Sequence, residues 1–154
     1  MFRNLYLLGS FITILFSYQA SASVSASAHS APEQQCLALA IYWEARGEGA
    51  AGMYAVGSVV VNRVSDERFP DTVCRVVKQG GESPPCQFSW WCDGKSDRPT
   101  DIASWKQAME IADKLLHSRR YTRTRGALYF HSTAVQPRWR LKRVAKIGNH
   151  IFYI

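Results

Sequence analysis

The sequence predicts an α+β domain whose helices come first, whose small antiparallel sheet comes last, and whose loops are stapled by disulfides. Apolar residues recur at helical spacing between positions 34 and 117, whereas alternation of the strand type appears only after position 126. Four cysteines stand in a chain that opens like an exported one. A length of 154 residues, 47% hydrophobic and 20% charged, fits one core and leaves no room for a large multidomain enzyme.

The first thirty residues read as an export signal. Arg3 sits in a short positive region, an apolar stretch runs from Leu5 to Phe16, and Ala20-Ser21-Ala22 offers a cleavage site. Residues 1–22 are therefore expected to be a signal peptide, with the mature chain starting near Ser23. About a dozen apolar residues fall short of the roughly 20 that a spanning helix needs, so no stable membrane insertion is expected after cleavage. A lipoprotein would carry Cys directly after the cut, and the first cysteine is Cys36. The expected location is the periplasm or the medium. Residues 23–33, rich in Ser and Ala and containing Pro32, read as a disordered lead-in, and residues 34–154 as the folded domain.

A first helix is predicted from Gln34 to Gly47, with Leu37, Ala40 and Ile41 at helical spacing and Gly47 and Gly49 ending it; Glu44 falls in its last turn. A second, from Ala50 to about Val64, places Met53, Val56, Val60 and Val64 on one face and is expected at the centre of the core. Pro70-Asp71 opens a short third helix, Thr72 to Lys78, with Asp71 as N-cap. Residues 82–99 contain Pro84-Pro85, two cysteines, three aromatic rings and no periodicity, which predicts a long aromatic loop; such loops inside compact domains carry function. Thr100 or Asp101 caps a fourth helix to about His117, with Ile102, Trp105, Met109, Ala112 and Leu116 inward. Ala127 to His131 reads as a strand, and residues 144–147 and 150–153 flank Gly148-Asn149 as a hairpin.

Four cysteines in an exported chain imply two disulfides, with three pairings open. Cys36 with Cys74 and Cys86 with Cys92 is favoured, because the second pair encloses only Gln87 to Trp91 and would pin a short loop. No metal site or cofactor is expected: there is no Cys-x-x-Cys, and His29, His117, His131 and His150 are widely scattered.

Glu44 is the leading candidate for chemistry. The run Ile41-Tyr42-Trp43-Glu44-Ala45-Arg46-Gly47-Glu48-Gly49 sets a carboxylate among aromatic neighbours at a helix C-terminus. Burial beside apolar rings and the negative end of the helix dipole both raise a carboxyl pKa, as a general acid near neutral pH requires. For an ordinary glutamate, pairing with Arg46 at the surface would be the simpler reading. Glu48 lies four residues on and would share a face with Glu44 if the helix continued, but Gly47 and Gly49 argue that it stops, so Glu48 reads as a helper or turn residue. Ser89 and His131 could in principle form a dyad, although a loop serine and a satisfied strand histidine are the blander interpretation. No nucleophile elbow, phosphate loop or His-Glu-x-x-His helix occurs. Trp90, Trp91, Tyr129 and Trp139 could stack on sugar faces, whereas Trp43 and Trp105 are expected in the core.

Nineteen Lys and Arg against twelve acidic residues give +7. Every acid lies between Glu33 and Asp113, and ten basic residues follow from Lys114 to Lys146. The resulting cationic patch is either a solvated face or a hold on an anionic polymer, and in an exported protein cell wall is a better fit than nucleic acid.

Glu44-Ala45-Arg46-Gly47-Glu48, Ala55-Val56-Gly57 and Val60-Val61-Asn62-Arg63-Val64 resemble the SleB/CwlJ family of cell wall hydrolases. Gln87-Phe88-Ser89, Asp93-Gly94, the segment from Tyr129 to His131, Trp139 and the closing run from Ile147 to Tyr153 resemble its remaining blocks, in order. The resemblance implies a lysozyme-like catalytic domain acting on peptidoglycan glycan strands by lytic transglycosylase chemistry; the protein is expected to be a monomer. In that chemistry a single glutamate, matched by Glu44, is acid and then base, while Glu48, Gln87, Phe88, Ser89, Tyr129 and His131 would line the sugar groove. The family's link to spores is not carried over to this chain. Two rivals stand: an N-acetylmuramoyl-L-alanine amidase, which would need a zinc cluster, and a non-catalytic wall-binding module.

Overall fold

A computed structural model describes residues 31–118 and 121–154. The predicted signal peptide, residues 23–30 of the predicted lead-in, and Arg119 and Arg120 lie outside the described residues. Four helices precede a three-stranded sheet: α1 (Ala31–Ala45), α2 (Gly49–Val64), α3 (Val73–Val77), α4 (Ile102–Ser118), β1 (Tyr129–Ser132), β2 (Arg143–Ile147) and β3 (His150–Tyr153). The α+β expectation is met, helices first and sheet last.

The core gathers around α2, which packs on the other three helices. Met53, Val56 and Val60 are fully buried as expected, and so are Ala55 and Val59, because the helix has neighbours on several sides rather than one. Gly57 lies where α1 and α4 press closest: a Cβ there would stand 2.6 Å from Leu115 Cδ1 and 2.8 Å from Ile41 Cδ1. Hydrogen atom replaces side chain at that crossing, which lets the helices approach.

Several boundaries differ from expectation, each for a local reason. The lead-in was expected to reach residue 33, but α1 begins at Ala31. Pro32 is at home in a first turn, where no amide donor is needed, and Glu33 Oε2 accepts Val73 N at 2.7 Å. A glutamate on one helix thereby satisfies an amide at the start of another. The N-cap of α3 is Thr72, whose hydroxyl accepts Arg75 N at 3.3 Å, while Asp71 pairs with the Arg75 guanidinium at 2.7 Å. Asp101 caps α4 by accepting Ser104 N at 3.1 Å. The buried stripe of α4 is Ala108, Ile111, Ala112, Leu115 and Leu116; Ile102, predicted inward, sits in the first turn and is 72% exposed.

The sheet order is β1-β3-β2, antiparallel throughout. The predicted hairpin is present: Ile147 pairs with His150 across Gly148-Asn149, and Gly148 has φ +55°, a conformation that favours glycine. The first strand starts two residues later than predicted: Leu128 N still donates to Tyr153 O at 2.9 Å, but the Ala127 and Leu128 carbonyls turn to α2. Asn62 Nδ2 donates to Ala127 O at 2.9 Å and Arg63 Nε to Leu128 O at 2.7 Å, so the end of α2 sets where β1 begins. Both favoured disulfides form, Cys36–Cys74 tying α1 to α3 and Cys86–Cys92 closing the aromatic loop. That loop was expected to be irregular; it contains one turn of 3-10 helix, Ser89–Cys92. No helix among the described residues is long and apolar enough to cross a membrane.

Candidate active site

A cleft of about 320 Å³ opens between the helices and the sheet. The last turn of α1 contributes Glu44, the end of α2 Arg63, and the stapled loop Gln87, Phe88 and Ser89. The sheet supplies Tyr129, Phe130, His131 and Ser132 from β1 and His150 from β3, with Trp139 on the connection between strands. Of the residues singled out from sequence, Glu44, Gln87, Phe88, Ser89, Tyr129 and His131 are therefore brought together. Phe88 is 2% exposed and works as buried wall, whereas Gln87 and Ser89 face solvent.

Among the described residues Glu44 has no ion-pair partner. Its neighbour Arg46 instead lies over the Tyr42 and Trp43 rings, 4.9 and 4.7 Å from their centroids. Burial in the cleft wall pushes the Glu44 carboxyl up from its ordinary 4.5 to about 7, against the smaller opposing pulls of the Trp90 indole and the Arg63 charge. The Trp90 N–H is near enough to favour the anion but makes no hydrogen bond of good geometry. Near pH 7 the carboxyl is thus divided between acid and anion, as a group that must give and then take a proton requires.

Glu48 was expected in the groove and does not line it. With α1 ended at Ala45, the spacing of four no longer places the two carboxylates on one face. Glu48 Oε2 accepts Asn149 N at 2.7 Å and Oε1 accepts Asn149 Nδ2 at 3.2 Å. These hydrogen bonds, the backbone amide first, lower its pKa. Glu48 ties the corner between α1 and α2 to the turn of the hairpin. Among the described residues Glu44 is consequently the one acid that lines the cleft.

His131 is held at both ring nitrogens. Nδ1 lies 2.8 Å from Ser132 O, which can only accept, so Nδ1 carries a proton. In the neutral ring Nε2 then accepts from the Tyr153 hydroxyl, also at 2.8 Å. No lone pair is left for Ser89, and a serine–histidine dyad has no geometric support. Trp139 packs edge-on against Tyr129, His131 and Tyr153 and is 44% exposed, a flat apolar surface at the rim. Trp90, by contrast, is 8% exposed, and Trp91 lies under Lys78. Trp43 and Trp105 pack partly buried against the core. Among the described residues no three His, Cys, Asp or Glu side chains gather where they could hold a metal ion.

Arg63 and His150 were not singled out as site residues from sequence. Both are buried, and each has a buried nitrogen without a partner, Arg63 Nη1 and His150 Nδ1. Burial lowers the pKa of His150, so it is neutral at pH 7. Strand alternation could have found His150, which shares the inward face of β3 with Phe152. A cation inside the apolar run from Val59 to Val64 was the available signal for Arg63.

The sequence pattern of the family described as Cell Wall Hydrolase matches residues 47–153, beginning three residues after Glu44. The spore cortex-lytic enzyme of Bacillus cereus is 31% identical over 121 residues, covering 77% of this chain and 42% of that protein. The Bacillus subtilis enzyme of the same name is 29% identical over 119 residues, covering 75% and 35%. This chain thus spans less than half the length of these relatives. Among solved structures, the catalytic domain of the germination-specific lytic transglycosylase SleB from Bacillus anthracis superimposes with a TM-score of 0.65 at 28% identity, covering 84% of this chain and 99% of that one. The catalytic domain of Bacillus cereus SleB gives 0.63 at 29% identity, covering 81% and 91%. With the matched segment spanning α2, the stapled loop and the whole sheet, and with the fold shared over more than four-fifths of the chain, this chain belongs to the SleB-like cell wall hydrolase family.

Proposed function

We propose that this protein is an exported enzyme that cuts the glycan backbone of peptidoglycan between N-acetylmuramic acid and N-acetylglucosamine, as a lytic transglycosylase with Glu44 as acid and then base. The observation that carries this is the solitary carboxyl of the cleft, raised to about 7 with no second acid lining the same walls. Hydrolysis by the two-carboxylate route needs a second acid about 5 to 9 Å from the first, as nucleophile or as base for water. An intramolecular route does not. Glu44 protonates the glycosidic oxygen and the bond from that oxygen to the anomeric carbon breaks. The 6-hydroxyl oxygen of the muramic acid residue then bonds to the same carbon and returns its proton to the Glu44 carboxylate. Atoms balance without water, and the product ends in a 1,6-anhydro ring.

The rest of the cleft binds and orients. Trp139 and Tyr129 offer aromatic faces to sugar rings, and the exposed Gln87 and Ser89 supply hydrogen-bonding groups. Peptidoglycan digested by the mature protein should release fragments one water lighter than the hydrolysed disaccharide, read by mass spectrometry. Glu44→Gln should abolish them and a chelator should not. Reducing disaccharides would refute the intramolecular route, free stem peptides lost on chelation would favour the amidase, and binding without release would favour the wall-binding module.

A further inference from the structure

Arg63 is the one buried guanidinium among the described residues, at 2% exposure, and it forms no ion pair. Removing such a charge from water without an anion is costly, and an apolar side chain would fill the space more favourably. Its plane is nonetheless fixed. Nε donates to Leu128 O at 2.7 Å, and the rings of Phe69, Phe88 and Tyr129 hold Cζ at 5.1, 5.8 and 5.8 Å from their centroids. Nη1 is left buried and without an acceptor. The same residue forms part of the cleft wall, where it is the one Lys or Arg.

The other titratable groups facing the cleft are Tyr129 and His131 on β1 and His150 on β3. None of them is a permanent cation. Among the described residues lining the cleft Glu44 is the one carboxyl, anionic in the ionised fraction of the resting enzyme and in every molecule that has just given its proton to the substrate. Resting on that proposed role of Glu44, we infer that Arg63 is a positioning residue: a locked, unpaired cation whose counterion is the Glu44 carboxylate formed midway through the reaction. As the O–H bond of Glu44 breaks, the proton joins the glycosidic oxygen and the electron pair stays on the carboxylate. The field of Arg63 holds that charge until the 6-hydroxyl returns a proton. The mutual influence of the two groups agrees with this: Arg63, after the Trp90 indole, draws the Glu44 pKa down, and Glu44, after Tyr129, offsets part of the burial that lowers Arg63 to about 10.

The test is a carbon-13 NMR titration of the Glu44 carboxyl in the mature, disulfide-intact protein, with Glu44→Gln assigning the signal. Arg63→Gln and Arg63→Met remove the charge, and Arg63→Lys keeps it while losing the fork. Both neutral variants should raise the Glu44 midpoint by about one pH unit and the lysine variant by less than half of that. On peptidoglycan, kcat should fall about tenfold or more in the neutral variants with KM little changed, and lysine should restore part of it. A purely structural Arg63 would lower the urea midpoint of all three variants and leave the Glu44 titration in place. An unmoved titration in the neutral variants, an equal shift with lysine, or failure of both neutral variants to fold would overturn the inference. The titration needs no substrate, so a failed coupling beside intact anhydro products counts against Arg63 alone. Hydrolysed products beside an intact coupling count against the reaction proposed for Glu44.

Discussion

Folding carries the Glu44 carboxyl from water, where it loses its proton near pH 4.5, into a cleft that keeps the proton to about pH 7. Between those values the native protein binds a proton that the unfolded chain does not, so stability falls as pH rises through the window. Below 4.5 both states are protonated and nothing is lost. Above 7 the full cost is present, up to about 3 kcal/mol for a carboxyl displaced this far. Glutamine has no proton to lose. Glu44→Gln should therefore track the parent protein at pH 4, apart from a constant offset for seating the amide, and become progressively more stable than it by pH 8.

Urea unfolding followed by tryptophan fluorescence, at pH 4, 5.5, 7 and 8 with the disulfides intact, measures the difference directly. At an m value of about 2 kcal/mol/M the midpoints should separate by up to about 1.5 M between the extremes. His150 and the other titrating groups are present in both proteins and cancel. A separation that stays constant from pH 4 to pH 8 would show that the carboxyl titrates as it does in water, and the electrostatic argument for Glu44 as an acid would fail. The inactive variant being the sturdier one at neutral pH is the signature expected of a group held in an unfavourable place for its chemistry.

Activity itself should decline as pH rises through about 7, since the donor must carry a proton; a rate profile unchanged between pH 6 and 9 would be incompatible with Glu44 as the acid. Replacing Cys36 and Cys74 with serine should cost about 4 kcal/mol in urea unfolding, and replacing Cys86 and Cys92 about 2, because the closed segments differ in length, 38 against 6 residues of separation. The smaller loss of stability should accompany the larger loss of activity, since the short loop carries Gln87, Phe88 and Ser89. Glu48→Ala should cost about 1 kcal/mol through the lost Asn149 hydrogen bonds and keep kcat within about tenfold of the parent, in contrast to Glu44→Gln. Gly148→Ala should destabilise by about 1 to 2 kcal/mol, because φ is +55° and a Cβ would collide with the Glu48 carboxylate.

Glu44 stood out as a candidate from local signals, aromatic flanks and a helix end, but what sets its pKa is tertiary: burial in the cleft wall, with Trp90 and Arg63 pulling the other way. The disulfides were legible from a local signal too, one pair closing so short a loop that little choice was left. Glu48 was not, because its partner Asn149 is 101 residues away and no spacing rule reaches that far. Arg63 was hidden by its position in an apolar helix, where only the three rings packed over it reveal how a charge can be kept there. The α4 stripe shows the same limit. Periodicity found the helix, but neighbours decided which of its apolar residues, Ile102 or Ala108, faced inward.

The hydrogen bonds from Asn149 to Glu48 also set an order of assembly. Glu44 and Glu48 are made early, whereas Asn149 and His150 come about a hundred residues later. Contacts of such separation are slow to form and arrive late in folding. An unfinished or clipped chain that stops before β3 has the acid but lacks the clamp, one wall of the cleft and the strand that pairs with β1. The activity proposed for Glu44 therefore depends on the last strand being in place, long after the acid itself has been made.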